Sequence, residues 1–89
     1  MIMKFNDTFI NTDERFTIGI EAVSGKYYVS IPVSNRLVDY DEYYEISKES
    51  YELFLKDPSA ALIFVERCKA RQEDESLMFN PGADRGVAT

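Results

Sequence analysis

Residues 16–33 read FTIGIEAVSGKYYVSIPV, and this stretch decides the fold. Apolar and polar side chains alternate over residues 14–23, and the alternation resumes over residues 27–33. A period of two residues is typical of a strand that buries one face. Ser24-Gly25 separates the two runs as a turn signal, so the stretch predicts a β-hairpin. Its core-facing side chains are predicted to be Phe16, Ile18, Ile20, Ala22, Tyr27, Val29, Ile31 and Val33.

Two features near the hairpin are less regular. Pro32 has no N–H to give to a β-ladder, so we expect the second strand to be an edge strand or to be bulged there. Residues 1–13 leave two interpretations open, because their apolar side chains could dock on the core while their polar residues read as turns.

Helix signals follow the hairpin. Ser47 is a plausible N-cap and predicts a helix over residues 48–56. Asp57-Pro58 is a second start signal and predicts a helix over residues 58–72, whose apolar stripe includes Ile63. That stripe is Ala61, Leu62, Ile63, Phe64, Val65 and Cys68.

The end of the chain completes the predicted architecture. Residues 77–79 are predicted to be a last strand, and residues 80–89 either form a loop that places Arg85 or fray as a tail. The predicted fold class is α+β: a small antiparallel sheet, made of the N-terminal β-hairpin plus a short C-terminal strand, with two helices packed on one face. The chain of 89 residues is expected to be a single domain, 1–89.

Composition argues against most kinds of chemistry. The chain has no histidine and a single cysteine, Cys68, so histidine-dependent nucleophilic sites, histidine metal sites and an internal disulfide are excluded. The net charge of -6 opposes binding to nucleic acid and to anionic membrane surfaces. We expect no enzymatic activity, no cofactor and no metal. The N-terminus has no apolar run of signal-peptide length, which predicts a cytoplasmic protein.

The negative charge is concentrated in one segment. Residues 37–57 contain seven acids and two bases, and the run from Asp39 to Glu45 interleaves four acids with three tyrosines. Carboxylates attract a cationic partner, and tyrosines give it stiff amphipathic rings to pack on. The predicted partner-binding residues are Asp39, Tyr40, Asp41, Glu42, Tyr43, Glu45 and Glu49. Two simpler interpretations stay open: a solvated acidic loop, and a core position for Tyr44.

Four segments together resemble small bacterial immunity proteins, which are encoded beside polymorphic or contact-dependent growth-inhibition toxins. The resemblance is one of pattern and size over residues 20–86. It is carried by KYYVSIPV at residues 26–33, DEYYEIS at residues 41–47, FVERCK at residues 64–69 and PGADRG at residues 81–86.

The resemblance implies a function in the cytosol. Such a protein binds the cognate toxin domain, which is a basic nuclease in many systems, and blocks its active site. It implies no catalytic or ligand residue, so the site prediction depends on the acidic tyrosine-rich run alone. The alternative is an acidic adaptor or regulatory subunit of another protein complex, without catalytic activity.

Overall fold

The computed structural model describes residues 3–79 and 85–89, which form an antiparallel sheet and two α-helices. Strands β1 to β4 lie side by side in chain order, and β5 pairs with β3. This arrangement confirms the predicted α+β class. The strands are β1 Phe5–Asn11, β2 Phe16–Glu21, β3 Tyr27–Ser34, β4 Asp39–Ile46 and β5 Val87–Ala88, and the helices are α1 Lys48–Lys56 and α2 Ala61–Lys69.

The predicted hairpin is formed by β2 and β3. Their register runs from Thr17 opposite Ser30 to Ile20 opposite Tyr27. Gly25 lies in the connecting turn with a φ of 73°, a conformation that glycine adopts without steric penalty. The turn signal in the sequence therefore marked the place where the chain reverses.

The prediction of an edge strand at Pro32 was wrong, because β3 lies between β2 and β4. Pro32 is tolerated in this central strand since β2 pairs with β3 only as far as Ser30. The Pro32 carbonyl accepts a hydrogen bond from the Thr89 N–H at 3.2 Å, so its backbone faces the side that β2 has already left. No hydrogen bond of the β3–β4 ladder requires an N–H at this position.

The core lies between one face of the sheet and the two helices. Alternate side chains of β2 and β3 point towards it, as the period-two pattern predicted, except that Ala22 lies exposed beyond the end of β2. Those of β4, which was not predicted as a complete strand, alternate in the same way. Its buried residues are Phe16, Ile18, Val29, Ile31, Val33, Tyr44, Ile46, Phe54, Ala61, Val65 and Cys68. Burial raises the pKa of the Cys68 thiol to about 12, so this cysteine behaves as a small hydrophobic residue.

The first helix matches its prediction, and the second is shorter than predicted. The Ser47 hydroxyl accepts the Ser50 N–H at 3.1 Å and caps α1. Pro58–Ala60 form a 3-10 turn, after which α2 continues to Lys69. Ile63 is 75% exposed, so its predicted place in the apolar stripe was wrong. The predicted positions of Ala61, Val65 and Cys68 on the inner face are confirmed, at the spacing of one helical stripe.

The last strand was predicted at the wrong residues. Leu77 makes only an isolated bridge to Tyr44, and the C-terminal strand is Val87–Ala88, which pairs with Val33 and Ser34 of β3. Of the predicted loop or tail, residues 80–84 lie outside the described part of the chain. Residues 85–89 are packed against the sheet, because β3 extends past the start of β2 and leaves a free edge there.

Glu21 is a buried acid that holds the start of β1 to the β2–β3 turn. Its side chain is fully buried, and its carboxylate accepts the backbone N–H groups of Lys4 at 2.8 Å, Val23 at 2.9 Å and Ser24 at 2.7 Å. The Ser24 side chain, opposed by burial and assisted by those backbone donors, lowers the pKa of Glu21 to about 2. The ionised form is therefore the one that the fold stabilises.

A pH dependence follows from this carboxylate. Because the pKa of Glu21 is lower in the folded chain than its ordinary value of 4.5, its contribution to stability is present above pH 4.5 and is lost as the pH falls towards 2. We expect Glu21→Gln to be less stable than wild type at pH 7 in urea unfolding. The difference in unfolding free energy between the two proteins should shrink steadily between about pH 5 and pH 2. A difference that stays constant over this range would contradict the assignment.

Candidate functional site

The acidic tyrosine-rich run forms β4, and strand alternation divides it between the two faces of the sheet. One set of side chains points to the helices, and the other points to the opposite surface, which no helix covers among the described residues. We call that surface the helix-free face. It bears Thr17 and Gly19 of β2, Tyr28, Ser30 and Pro32 of β3, and Asp39, Asp41, Tyr43 and Glu45 of β4.

Glu42 points to the helix side and belongs to a buried ion-pair network. It is 7% exposed, and Arg85 donates from Nε to Glu42 Oε2 at 2.9 Å and from Nη2 to Oε1 at 3.1 Å. The Tyr44 hydroxyl donates to Glu42 Oε1 at 2.8 Å. Arg85 also donates to both carboxylate oxygens of Asp74, at 2.8 and 2.9 Å. Glu42 therefore has an internal partner and contributes little to the exposed surface.

The same network fixes the C-terminal strand to the sheet. The Gly86 N–H donates to the Tyr40 hydroxyl at 2.9 Å, and Arg71 Nη2 donates to the Gly86 carbonyl at 2.8 Å. A side chain at Gly86 would overlap the carbonyl of Ser34. Tyr40, one of the predicted partner-binding residues, thus holds the chain end with its hydroxyl group. Hydrogen bonds from Arg85 also lower the pKa of Asp74.

Tyr43 lies on the helix-free face within an aromatic cluster, which consists of Phe5, Tyr28, Tyr43 and Phe79. The Phe5 and Tyr43 rings stack with centroids 3.8 Å apart, and the Tyr28 ring meets both edge-on at 5.2 Å. Tyr28 is fully buried because it lies over Gly19, where a side chain would overlap it. The cluster covers one half of the helix-free face and leaves the other half open.

The open half carries Asp39 and Asp41, whereas Glu45 lies on the same face opposite Tyr28, beside the aromatic cluster. Asp39 accepts a hydrogen bond from the Ser34 hydroxyl, and Glu45 lies 3.5 Å from Lys26 Nζ in an exposed ion pair. Asp41 makes neither a hydrogen bond nor an ion pair with any described residue. Asp39, Asp41 and Glu45 are therefore the members of the predicted set that the structure leaves at the surface of this face.

Asp41 lies close to a second carboxylate, which belongs to β1. Partial burial, followed by repulsion from Asp7, raises the pKa of Asp41. Burial and the same two carboxylates raise the pKa of Tyr43. Asp7 itself accepts the Tyr28 hydroxyl at 2.6 Å. The two carboxylates therefore repel each other on the same face of the sheet, and a cation from outside would relieve this repulsion.

An open cleft of about 360 Å³ adjoins Asp41 on this face. Ile10 and Pro32 give it apolar walls, and Asn11, Thr17 and Arg15 add polar groups. Sequence reasoning missed the contribution of β1, because residues 1–13 alternate poorly and a bulge between Asp7 and Phe9 breaks their register. That bulge turns Ile10 to the helix-free face, where it is 60% exposed.

The turn between β3 and β4 adds exposed apolar side chains beside the acids. The Asn35 side-chain oxygen accepts the Leu37 N–H at 2.7 Å and the Val38 N–H at 2.8 Å, which fixes the turn. Leu37 is 71% exposed and Val38 is 56% exposed. Their position next to Asp39 resembles the mixture of apolar and charged groups found at protein interfaces.

Glu49, the remaining predicted residue, lies in the first turn of α1, in the other layer of the molecule. The helical region of residues 48–71 contains four acids and five bases, whereas β4 alone contains four acids and no base. The excess negative charge of the chain therefore lies outside the helical region, with a net charge of -4 in residues 1–47 and -3 in residues 72–89. The helix dipole favours an acid in the first turn of a helix, which explains an acid at position 49 without a role in binding.

Comparisons with protein-family models, with curated proteins and with solved structures found no match. Neither helix of the described chain is long and apolar enough to cross a membrane. Within residues 3–79 and 85–89, no group of three or more acidic or cysteine side chains is arranged to hold a metal ion.

The Arg85 network makes a stability prediction. Arg85→Ala leaves the Glu42 carboxylate buried without its cation, and we expect it to destabilise the fold by about 3–5 kcal/mol in chemical unfolding. Lys48→Ala is the matched control, because Lys48 lies 4.0 Å from Glu52 in an exposed pair and its loss should change stability by less than about 0.5 kcal/mol.

A second variant separates the charge effect from simple loss of packing. Glu42→Gln in the Arg85→Ala background removes the unpaired charge, so part of the lost stability should return. If Arg85→Ala is as mild as Lys48→Ala, or if Glu42→Gln gives no recovery, the network does not hold the chain end as described.

Proposed function

We propose that this protein is an immunity protein, which binds a basic bacterial toxin domain through the open half of its helix-free face and neutralises it. The binding surface consists of Asp39 and Asp41, with the exposed side chains of Ile10, Leu37 and Val38 around them, and Glu45 and Asp7 lie farther along the same face. The observation that carries the proposal is the exposed Asp41 carboxylate, which has no partner among the described residues and is repelled by Asp7, on the sheet face that the helices leave uncovered.

The charge distribution supports a basic partner. The bases of the helical region balance its acids, whereas β4 has four acids and no base, so the field around β4 is more negative than the field around the helical region. Such a field speeds the encounter with a basic protein and opposes pairing with a second copy of the same acidic surface. The tyrosine and apolar side chains that border the acids would be buried in the complex and would slow its dissociation.

The toxin would be neutralised because its basic surface is also the surface that binds its substrate. A nuclease needs a cationic surface to hold the phosphate backbone of its substrate. An acidic face that pairs with those lysines and arginines excludes nucleic acid from the same surface. The immunity protein would need no catalytic group for this action, because inhibition by occupancy depends only on affinity and position.

The proposal is tested by co-expression with the protein encoded directly upstream. We expect a complex that survives purification, and growth arrest when the upstream protein is expressed without this chain. A complex without toxicity would instead favour an acidic adaptor or regulatory subunit. Absence of any complex would remove the upstream protein as the partner.

Charge reversal on the helix-free face should slow association with that partner. We expect Asp39→Lys with Asp41→Lys to reduce the association rate constant about tenfold or more at low salt, since the change replaces attraction by repulsion. The rate is measured by stopped-flow or surface plasmon resonance at several salt concentrations, and the difference should decrease as salt screens it.

The matched control carries the same change of charge on the helices. Glu52→Lys with Glu66→Lys alters two exposed acids whose ion pairs are long, at 4.0 and 3.8 Å, and should disturb folding little. If both double variants slow association equally, only the net charge matters, and the helix-free face has no special role.

A further inference from the structure

We propose that the cleft beside Asp41 receives one arginine side chain of the basic partner. This inference rests on the proposed function for the identity of the partner, and it adds the position and chemistry of one central contact. The cleft lies on the helix-free face between Ile10 of β1 and Pro32 of β3, with Asp41 of β4 at its side.

The size of the cleft favours a single side chain as its occupant. Its volume of about 360 Å³ lies near the lower end of the range for pockets that hold small molecules, and it opens widely to solvent. Its lining combines polar side chains with the apolar side chains of Ile10, Phe16 and Pro32. An anchor side chain, surrounded by the rest of a protein interface, fits these dimensions better than a buried cofactor does.

The Asp41 carboxylate, which has no internal partner, favours a cation. It is exposed at the side of the cleft and makes no hydrogen bond or ion pair with the described residues. Repulsion from Asp7 adds to the cost of its negative charge. A cation placed here would pair with Asp41 and relieve this repulsion through a charge-assisted contact.

The walls of the cleft favour arginine over lysine. A guanidinium group is planar and weakly hydrated, so its faces can lie against Ile10 and Pro32 while its edge donates to Asp41. Its additional N–H groups match the side-chain oxygens of Asn11 and Thr17, which line the same cleft. A lysine ammonium is a compact, strongly hydrated charge and would have to give up more water to enter.

Arg15 is the internal competitor for this position. It lines the cleft from the β1–β2 turn, where its φ is 56°, and it forms no ion pair with the described residues. The pKa of Asp41 is raised by partial burial and by repulsion from Asp7, and Arg15 does not offset this rise. The experiment therefore includes a variant that removes this side chain.

The probes are N-acetyl-arginine-N-methylamide and its lysine counterpart, titrated into the isotope-labelled protein and followed by NMR. We expect saturable shifts of the Ile10 and Thr17 resonances with the arginine probe, at millimolar affinity, and weaker binding of the lysine probe. Asp41→Asn should weaken the arginine probe about tenfold. Asp39→Asn is the matched control, because it removes the same charge outside the cleft and should change the affinity less than twofold.

Three outcomes would overturn the inference. They are equal binding of the two probes, unchanged binding to Asp41→Asn, and binding that occurs only in Arg15→Ala, which would mean that Arg15 fills the cleft itself. The test needs no toxin, so it is independent of the proposed function. If the probe does not bind while Asp39→Lys with Asp41→Lys still slows association with the partner, the arginine site in the cleft is rejected and the helix-free face is kept as the binding surface. If the probe binds but the upstream protein forms no complex, the arginine site is kept and the proposed immunity function is rejected.

Discussion

The structure depends on one constraint: its two short helices cover only one face of a sheet of four main strands. Among the described residues, no further element covers the second face. Part of that face is closed by the sheet's own side chains, as Phe5 from one edge strand stacks on Tyr43 from the other. The remaining part stays open, and Asp41 lies there without a partner among the described residues.

The alternation of β4 connects this constraint to the proposed function. Because successive side chains point to opposite faces, an acidic run that looks uniform in the sequence serves two purposes in the structure. Glu42 points inward and binds Arg85, which fastens the C-terminal strand and the Asp74 turn to the sheet. Asp39, Asp41 and Glu45 point outward. The buried ion pair therefore stabilises the platform, while its neighbours supply the charged surface.

The sequence predicted those elements whose signals are local. The β2–β3 hairpin, its turn at Gly25 and the cap at Ser47 follow from periodicity and turn chemistry within a few residues. The pairings that depend on distant residues were missed: β1, whose bulge breaks the alternation, and β5, which has only two residues and fills the edge that β2 leaves on β3. If the acidic run had been assigned to a strand, alternation would have placed Glu42 and Asp41 on opposite faces. The ion pair of Glu42 could not be predicted in this way, because its partner Arg85 lies 43 residues away in the sequence. Ile63 shows the same limit, since an apolar residue on a short helix does not reveal which side faces the core.

The most direct test of the account is a hydrogen–deuterium exchange footprint of the complex with the protein encoded upstream. Binding to the helix-free face predicts new protection in β1 and around Asp39 and Asp41, including the β3–β4 turn, with α1 and α2 unchanged. Protection confined to the two helices would contradict the central claim, because it would place the partner on the layer where acidic and basic charges already balance.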